Sequence, residues 1–521
     1  MMSQQDHRIH LDVYSHFCKV TNYNAHVREA LKDYCSKHLT EWEMKWNPYG
    51  RFMERVMKCI YVSANADRRT FRFHRNELDQ ILRILDGCGY GPDKILTTVH
   101  PMYEPAKVDF KLNPKDHREP REHQPVVIGY MTDPPHPDYA PSKMVELFTG
   151  GGKTMCLLRS VSAIGFRTIL FLKPMYIKKW IKDVKEAYRI RNGDLLVVQG
   201  SKDLRNLIAM ANNGTLVAKI IIMSIPTFRN YLSAFEAYND EDVDEYGCHP
   251  EQFYERLGIG VKAVDEVHQE FHAVYRQDLF AHVPLTISLS ATMVSDRSFM
   301  NERYVTTWPL VTRSPKIENK KYIDIINLWY DIQTTGQIRC KDFQDRYSHV
   351  MLEQWIMKKE FRLAKYADMI INIVDEAYIQ IRKDGQKALI FCATREMCTY
   401  LRDQIKSAFP KLKVGRYIQG DAYKDMLKND ITVSTLKSAG TAVDVPGLKM
   451  CLCTIAVSSK QANEQAIGRL RELRDYPGEN PVFYFLSCHQ IDKHRQYAVE
   501  KSQKLEGKVR GYREISTSYR I

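Results

Sequence analysis

Apolar residues in this chain come in short unbroken runs set between amphipathic stretches. From about Arg118 the runs are "RTILFLKP", "LLVVQG", "AKIIIMSI", "GVKAVDEV" and "TISLSAT". Strands buried on both faces read this way, so the pattern predicts a parallel sheet wrapped by helices. The acidic stretch "EAYNDEDVDEYGCHPEQ" reads as an exposed insertion ahead of one of these strands. The pattern loosens from Arg313 to Gln337, and then a second series begins: "KALIFCAT", "KVGRYIQG", "ITVST", "MCLCTIAV" and "PVFYFLS". Two successive α/β units of similar size are expected, over residues 112–312 and 313–521. Residues 1–111 have a different texture. A strand-like "RIHLDVYSHFCKV" precedes the helical "AHVREALKDYCSKHL"; then come "MKCIYVSAN", the charged turn "ADRRTFRF" and a second helix in "ELDQILRILDGCGY". This reads as a small α+β domain with basic and aromatic residues interleaved, and the Pro-rich, charged "KLNPKDHREPREH" reads as its connector.

Composition narrows the class. With 44% hydrophobic and 27% charged residues over 521 positions, the chain buries several cores and is not disordered. Its net charge of +13 points to a polyanionic partner, nucleic acid first. The closest pair among the 12 cysteines, Cys451 and Cys453, lies in a strand-like run, and no CxxC pair occurs. Neither a zinc ribbon nor a redox motif is therefore indicated, and free thiols fit a reducing cytoplasm. The N-terminal "MMSQQDHRIH" lacks the apolar core of a signal peptide. No apolar run approaches the roughly 20 residues of a membrane span, so no membrane association is expected.

Four segments of the first α/β unit carry chemistry. In "LFTGGGKTM", Thr149, Gly150, Gly151 and Gly152 precede Lys153 and Thr154. Glycines let backbone N–H groups close around phosphates, the lysine neutralises them, and the hydroxyl suits Mg²⁺. Leu147 stands where the strict P-loop has glycine. In "VKAVDEVHQE" an apolar run ends in Asp265, Glu266, Val267 and His268. Carboxylates at a strand's C-terminal end divide into a Mg²⁺ ligand, Asp265, and a base for the attacking water, Glu266. Gln124, ahead of an apolar helix, either reads an adenine edge or starts the helix. In "SLSATM", Ser290 and Thr292 either bond across to Asp265 or His268 or form a strand-end turn.

In this order these segments resemble the superfamily 2 helicases (DEAD/DEAH type, DExH), with TGGGKT, DEVH and SAT as motifs I to III and Gln124 as the Q element. That family commonly lacks the first P-loop glycine. "ALIFCATREM", "TVSTLKSAGTAVDVPGL" and "QAIGRLRELR" resemble motifs IV, V and VI. Within the superfamily the chain looks closest to UvsW-like phage recombination helicases, whose small DNA-binding domain the N-terminal region resembles. The resemblance implies two tandem RecA-like domains behind an α+β domain. It implies an ATP hydrolase using ATP and Mg²⁺: a DNA helicase or translocase that unwinds or branch-migrates branched DNA in phage recombination and repair. Its partner would be junctions of single- and double-stranded DNA, with RNA an alternative, and it would work as a monomeric motor in the bacterial host cytoplasm. A remodelling motor without net unwinding, or a silent nucleic-acid-binding scaffold, are the competing classes. By the same resemblance Lys153 and Thr154 hold phosphates and Mg²⁺, Asp265 and Glu266 coordinate and catalyse, and His268 couples to Gln465 or Thr292. Asp444 faces the nucleotide, and Lys173, Ser224, Thr227, Thr394, Arg395, Ser434 and Thr435 meet nucleic acid.

The second unit of such a motor supplies an arginine to the transferring phosphoryl group, and "QAIGRLRELRDY" reads as a charged helix that carries it. Gln465, Gly468 and Arg469 fit Q-x-x-G-R-x-x-R, but the last position is Glu472. On an ideal helix Arg471 lies about 100° from that position and Arg474 about 200°. Arg469 is thus expected as the first phosphate ligand and Arg471 as the second.

Overall fold

The computed structural model describes residues 8–46, 53–60, 62–63, 70–148, 150–237, 246–291, 293–295, 297–317, 321–418, 421, 423–439, 445–456, 467–473, 475–507 and 509–521. Thr149, Thr292, Asp444, Gln465 and Arg474 lie outside them. The chain divides into two compact units, 1–317 and 318–521.

The first unit opens with a mixed sheet. β1 (Ile9–Val13) and β2 (Phe17–Thr21) form a hairpin, and the helix Ala25–His38 follows, its first turn capped by Asn24 Oδ1 accepting from the Val27 amide at 2.9 Å. β3 (Thr40–Trp46) and β4 (Met53–Cys59) pair as a separate antiparallel ribbon. β5 (Val62–Ser63), β6 (Thr70–His74), the helix Leu78–Gly87 and β7 (Ile95–Val99) complete a five-stranded sheet in the order β5-β6-β2-β1-β7. The single strand read in "RIHLDVYSHFCKV" is thus two, turning at 14–16, and the described end of the charged "ADRRTFRF" is β6. Residues 100–123 hold no helix or strand, as their composition suggests.

A six-stranded, wholly parallel sheet follows: β8 (Ser142–Glu146), β9 (Thr168–Leu172), β10 (Leu195–Val198), β11 (Ile220–Ser224), β12 (Val261–Val264) and β13 (Leu285–Ser290), in the order β10-β11-β9-β12-β13-β8. One continuous core unites Leu11, Phe73 and Leu85 of the N-terminal sheet and its helices with Phe171, Met223, Phe228 and Phe271 of this α/β layer. Polar links cross the same seam. Glu77 pairs with Arg303 at 2.7 Å, Arg72 with Glu251, and His16 Nε2 lies 2.8 Å from Thr286 Oγ1. β8 is absent from the apolar pattern because "SKMVE" carries a lysine and a glutamate. Lys143 is nonetheless buried, and its ammonium donates to the carbonyls of Tyr130, Met131 and Asp133 at the end of the helix Gln124–Thr132. It thereby satisfies carbonyls that the helix leaves without partners.

The second unit is a seven-stranded parallel sheet: β14 (Asp324–Asp331), β15 (Lys387–Cys392), β16 (Val414–Tyr417), β17 (Ile431–Thr435), β18 (Leu448–Cys453), β19 (Val482–Cys488) and β20 (Gly511–Arg520), in the order β16-β17-β15-β18-β19-β14-β20. The stretch where the pattern loosens therefore contains an interior strand. β14 is buried along its middle, and Asn327 Oδ1 accepts from Ser487 Oγ at 2.7 Å, so its polar residue is accommodated. Its partner β20 is an edge strand with few apolar residues and with Arg513, Glu514 and Arg520 exposed, which conceals it in a search for apolar runs.

Candidate active site

In parallel α/β sheets ligands gather at the C-terminal ends of the strands. At that edge of the first sheet, β8, β13 and β12 are consecutive neighbours, so the segments that follow them converge. The loop after β8 begins with the Leu147 amide donating to Ser290 O at the end of β13, 3.0 Å away. Leu147 is buried, and a Cβ on Gly151 would stand 2.6 Å from its Cγ. The leucine that replaces the first glycine therefore packs beneath the third. Gly150 and Gly152 hold φ of +87° and +89°, a region in which a side chain is strained.

The loop is held from behind by the Q element. Arg121 Nη1 donates to Gly150 O at 2.6 Å, Gln124 Nε2 donates to Gly151 O at 2.8 Å, and His123 Nε2 lies 2.9 Å from the same carbonyl. A trans peptide points its N–H opposite its C=O. Anchoring the Gly151 carbonyl on Gln124 thus turns the Gly152 N–H away from it, at the start of the helix Lys153–Ile164. Gln124 is 2% exposed, and its Oε1 accepts from the Arg121 amide at 2.9 Å, so both ends of the amide serve this loop and its own helix start.

Past β12, Asp265 is half-buried. Its Oδ2 accepts from Trp180 Nε1 at 2.9 Å and its Oδ1 from the Glu266 amide at 3.0 Å. Burial, then the neighbouring Glu266 charge, push its carboxyl up to about 6, against the opposing pull of Lys153 and the Trp180 hydrogen bond. Glu266 has φ +48°, ψ +46°, a left-handed conformation uncommon outside glycine, where strain marks functional positions. That turn places its carboxylate 2.9 Å from Lys153 Nζ and 3.4 Å from His268 Nδ1. His268 Nδ1 lies 2.7 Å from Ser290 Oγ. Ser290 consequently holds the P-loop through its carbonyl and the DEVH turn through its hydroxyl. The Asp265 carboxylate and the Thr154 hydroxyl are hard-oxygen donors, of the kind that suits Mg²⁺ shared with nucleotide phosphates better than a protein-only cage.

The other expected contacts also sit at strand ends, engaged in local structure. Lys173 follows β9, precedes the helix Pro174–Ala187 and pairs with Glu270 at 3.2 Å. Ser224 and Thr227 are buried, 2.6 Å apart through their hydroxyl oxygens, and Thr227 Oγ1 accepts from the Gly200 amide at 2.8 Å. In the second unit, Thr394 Oγ1 accepts from the Met397 amide as the cap of the helix Arg395–Ala408, while Arg395 is exposed. Ser434 Oγ donates to Tyr417 O, and Thr435 Oγ1 donates to Ser438 Oγ at 2.8 Å. Arg469 is buried, and Arg471 donates to Gly468 O.

Residues 468–473 form no helix, so the helical angles expected to favour Arg471 over Arg474 do not apply. Ile467 is the one helical residue described there, and residues 470–473 are irregular. Ile467 and Leu470 enter the core beside β18 and β19, and Leu473 is buried, so this part follows the core surface and does not continue as a charged helix. Trp180, His123 and Arg121 were absent from the expected set. A tryptophan in an amphipathic helix has the same sequence signature as core, whereas the histidine and arginine beside Gln124 were open to inspection.

No protein-family model matches the chain, and no curated protein matches it in sequence. Solved structures resemble it. A variant of S. cerevisiae Dbp5 bound to RNA and ADP–BeF3 aligns with 77% of this chain and 90% of its own, at 12% identity and a TM-score of 0.48. T4 UvsW aligns over 98% and 99%, at 13% identity and a TM-score of 0.33. At these identities the likeness is one of overall fold alone.

Proposed function

We propose that the chain is an ATP-dependent nucleic-acid motor of the superfamily 2 type, a DNA helicase or translocase acting on branched DNA. The observation that carries this reading is the Lys153–Glu266 ion pair at 2.9 Å, which joins a P-loop lysine to one of two strand-end carboxylates, with His268 3.4 Å from that carboxylate and 2.7 Å from Ser290 Oγ. The chain's +13 charge supports a polyanionic track.

In this reading Lys153 exchanges Glu266 for the phosphates of ATP. Release from the lysine leaves the Glu266 carboxylate to orient the attacking water and accept its proton. Trp180 and the Glu266 amide hold Asp265 in one orientation, and Gln124 with Arg121 keeps the glycine loop in its phosphate-ready shape. Thr154 and Asp265 would hold Mg²⁺, which supplies charge neutralisation of the phosphates. Arg469 is assigned the stabilisation of the transferring phosphoryl group, a contribution of about 10³- to 10⁵-fold in rate. His268 and Ser290 pass the state of the site to the rest of the motor, and the strand-end segments that carry Lys173, Ser224 and Thr227 are assigned to the path of one strand.

ATP hydrolysis should be compared with single-stranded DNA, duplex, fork, four-way junction and RNA, alongside strand displacement on the fork. Stimulation by branched DNA with ATP-dependent displacement is expected. Preferential stimulation by RNA would reassign the track, and stimulation without displacement would reduce the function to translocation. No ATPase with any of them would overturn the reading.

A further inference from the structure

The helix His349–Met357, "HVMLEQWIM", is mostly apolar and carries a single acid. That acid, Glu353, is 0% exposed. Its Oε1 accepts from the Ala393 amide at 2.7 Å; its Oε2 accepts from the Thr394 amide at 2.8 Å and from Thr394 Oγ1 at 2.7 Å. A buried carboxylate is costly unless such donors surround it. One turn earlier, on the same helix face, His349 Nδ1 accepts from the Ala456 amide at 3.3 Å. Tyr347 OH lies 2.7 Å from that Nδ1 and 2.5 Å from His494 Nε2, and His494 Nδ1 accepts from the Cys488 amide at 2.9 Å.

Backbone amides only donate, so both rings carry their proton on Nε2. His494 Nε2–H therefore donates to Tyr347, whose hydroxyl donates to His349. His349 Nε2–H is left facing Glu353 Oε1, 3.9 Å away. This single helix face thus braces the turns after β15, β18 and β19. It also uses up the donors of the first of them: both amides of the Ala393–Thr394 turn and the Thr394 hydroxyl end on Glu353, while the hydroxyl oxygen caps Met397. What the turn exposes is Arg395.

Building on the nucleic-acid reading above, we propose that Glu353 is a positioning residue for the strand track: by holding every donor of the Ala393–Thr394 turn, it makes Arg395, and not Thr394, the group of that turn that meets a phosphate. Burial pushes the Glu353 carboxyl up to about 7, opposed by these hydrogen bonds. Above that pH the ionised carboxylate accepts all three donors; below it the acid brings a proton of its own and the turn loosens. The groups facing Glu353 are His349 on its own helix, Tyr366 on the helix Glu360–Val374, Glu396 on the helix Arg395–Ala408, Tyr330 on β14, Cys392 on β15 and Cys453 on β18. Burial lowers His349 to about 3 and raises Tyr330, Tyr366 and Cys453, and a hydrogen bond with Cys398 together with burial raises Cys392.

The test is binding of fluorescent single-stranded DNA by the full chain across salt and pH, for the wild type, Glu353→Gln, Arg395→Ala and the double variant. Arg395→Ala should bind about 5- to 10-fold more weakly, with the salt slope reduced by roughly 0.7, the value for one phosphate contact on a single strand. Glu353→Gln keeps the shape but sets an amide NH₂ against a backbone N–H, so it should lose a similar factor. The double variant should be no weaker than Arg395→Ala alone, a non-additivity that general loosening of the fold would not produce. Wild-type affinity should fall from pH 8 to pH 6 while that of Arg395→Ala stays flat, a comparison that holds even if Glu353→Gln fails to fold. Wild-type affinity in Glu353→Gln, multiplying losses, or the same pH profile with and without Arg395 overturns the proposal. No binding by the wild type overturns the nucleic-acid reading itself, and this proposal with it.

Discussion

At the scale of single residues, the candidate site depends on a few contacts whose removal has distinct signatures. Lys153→Ala and Glu266→Gln should each abolish most nucleic-acid-stimulated ATPase. For Glu266→Gln the loss is about 10²- to 10⁴-fold, the usual weight of a general base. Circular dichroism should show the fold unchanged, because the ion pair they share is partly exposed. Full ATPase in either variant would contradict the assignment. Trp180→Phe removes only the N–H that holds Asp265 Oδ2. Partners that orient a metal ligand typically matter 10- to 100-fold in affinity, so the Mg²⁺ needed for half-maximal ATPase should rise by about 10-fold. An unchanged Mg²⁺ titration would make Trp180 mere packing. Lys153, Asp265 and Glu266 were legible in the sequence because their chemistry needs fixed residue types at fixed spacing. Trp180 was not, since its helix buries Tyr176, Ile177 and Val184 on the same face. Glu353 left one usable trace, a lone acid in a mostly apolar helix.

At the scale of elements, legibility followed burial on both faces. β9, β11, β12 and β13 were plain because every residue in them is buried and most are apolar. β8 was hidden because Lys143 answers to the carbonyl end of the preceding helix, a partner that the apolar pattern of the strand itself does not reveal. The phosphate loop is the element whose sequence and geometry agree most closely, and Gly152 tests it. A side chain there must adopt φ +89°, and its Cβ would stand 2.1 Å from Gln124 Nε2. Gly152→Ala should therefore cost about 1–2 kcal/mol from the left-handed conformation alone, read as a lower melting temperature. It should also weaken nucleotide binding at least 10-fold, read by titration with a fluorescent ATP analogue. A second element-scale test concerns the fully buried pair of Lys262 on β12 and Asp278 at the end of the helix Phe271–Asp278. Lys262→Met strands a buried carboxylate and should cost about 3–5 kcal/mol in denaturant unfolding, whereas replacing both partners by apolar residues should recover most of it.

At the scale of the whole molecule, the N-terminal α+β region could be an appendage or part of the first compact unit. The shared core argues for the latter, and so does the chemistry along the seam. His16 and His74, on the N-terminal side, are fully buried close to Lys262 and Asp278 of the α/β layer. Burial is the main reason His16 is lowered to about 3 and His74 to about 4, with Asp278 pulling the other way and Lys262 adding to the depression. Between the ordinary histidine value near 6.5 and these folded values, the unfolded chain binds protons that the folded chain does not. Stability must then fall as pH drops, by about 1.4 kcal/mol per pH unit for each histidine. Asp278 acts in the same direction at lower pH, since its folded carboxyl is held below the usual range, chiefly by Lys262 against the cost of burial. Unfolding should therefore steepen sharply below pH 6.5. Probes in the N-terminal sheet and in the first α/β layer should report one coincident transition, because protonating the seam histidines undermines both sides at once. A His16→Gln variant, whose side chain cannot take up the proton, should lose about one histidine's share of the slope. An N-terminal region that melts first, with the α/β layer unaffected by pH from 7 to 5, would show that the seam carries neither the stability nor the cooperativity assigned to it.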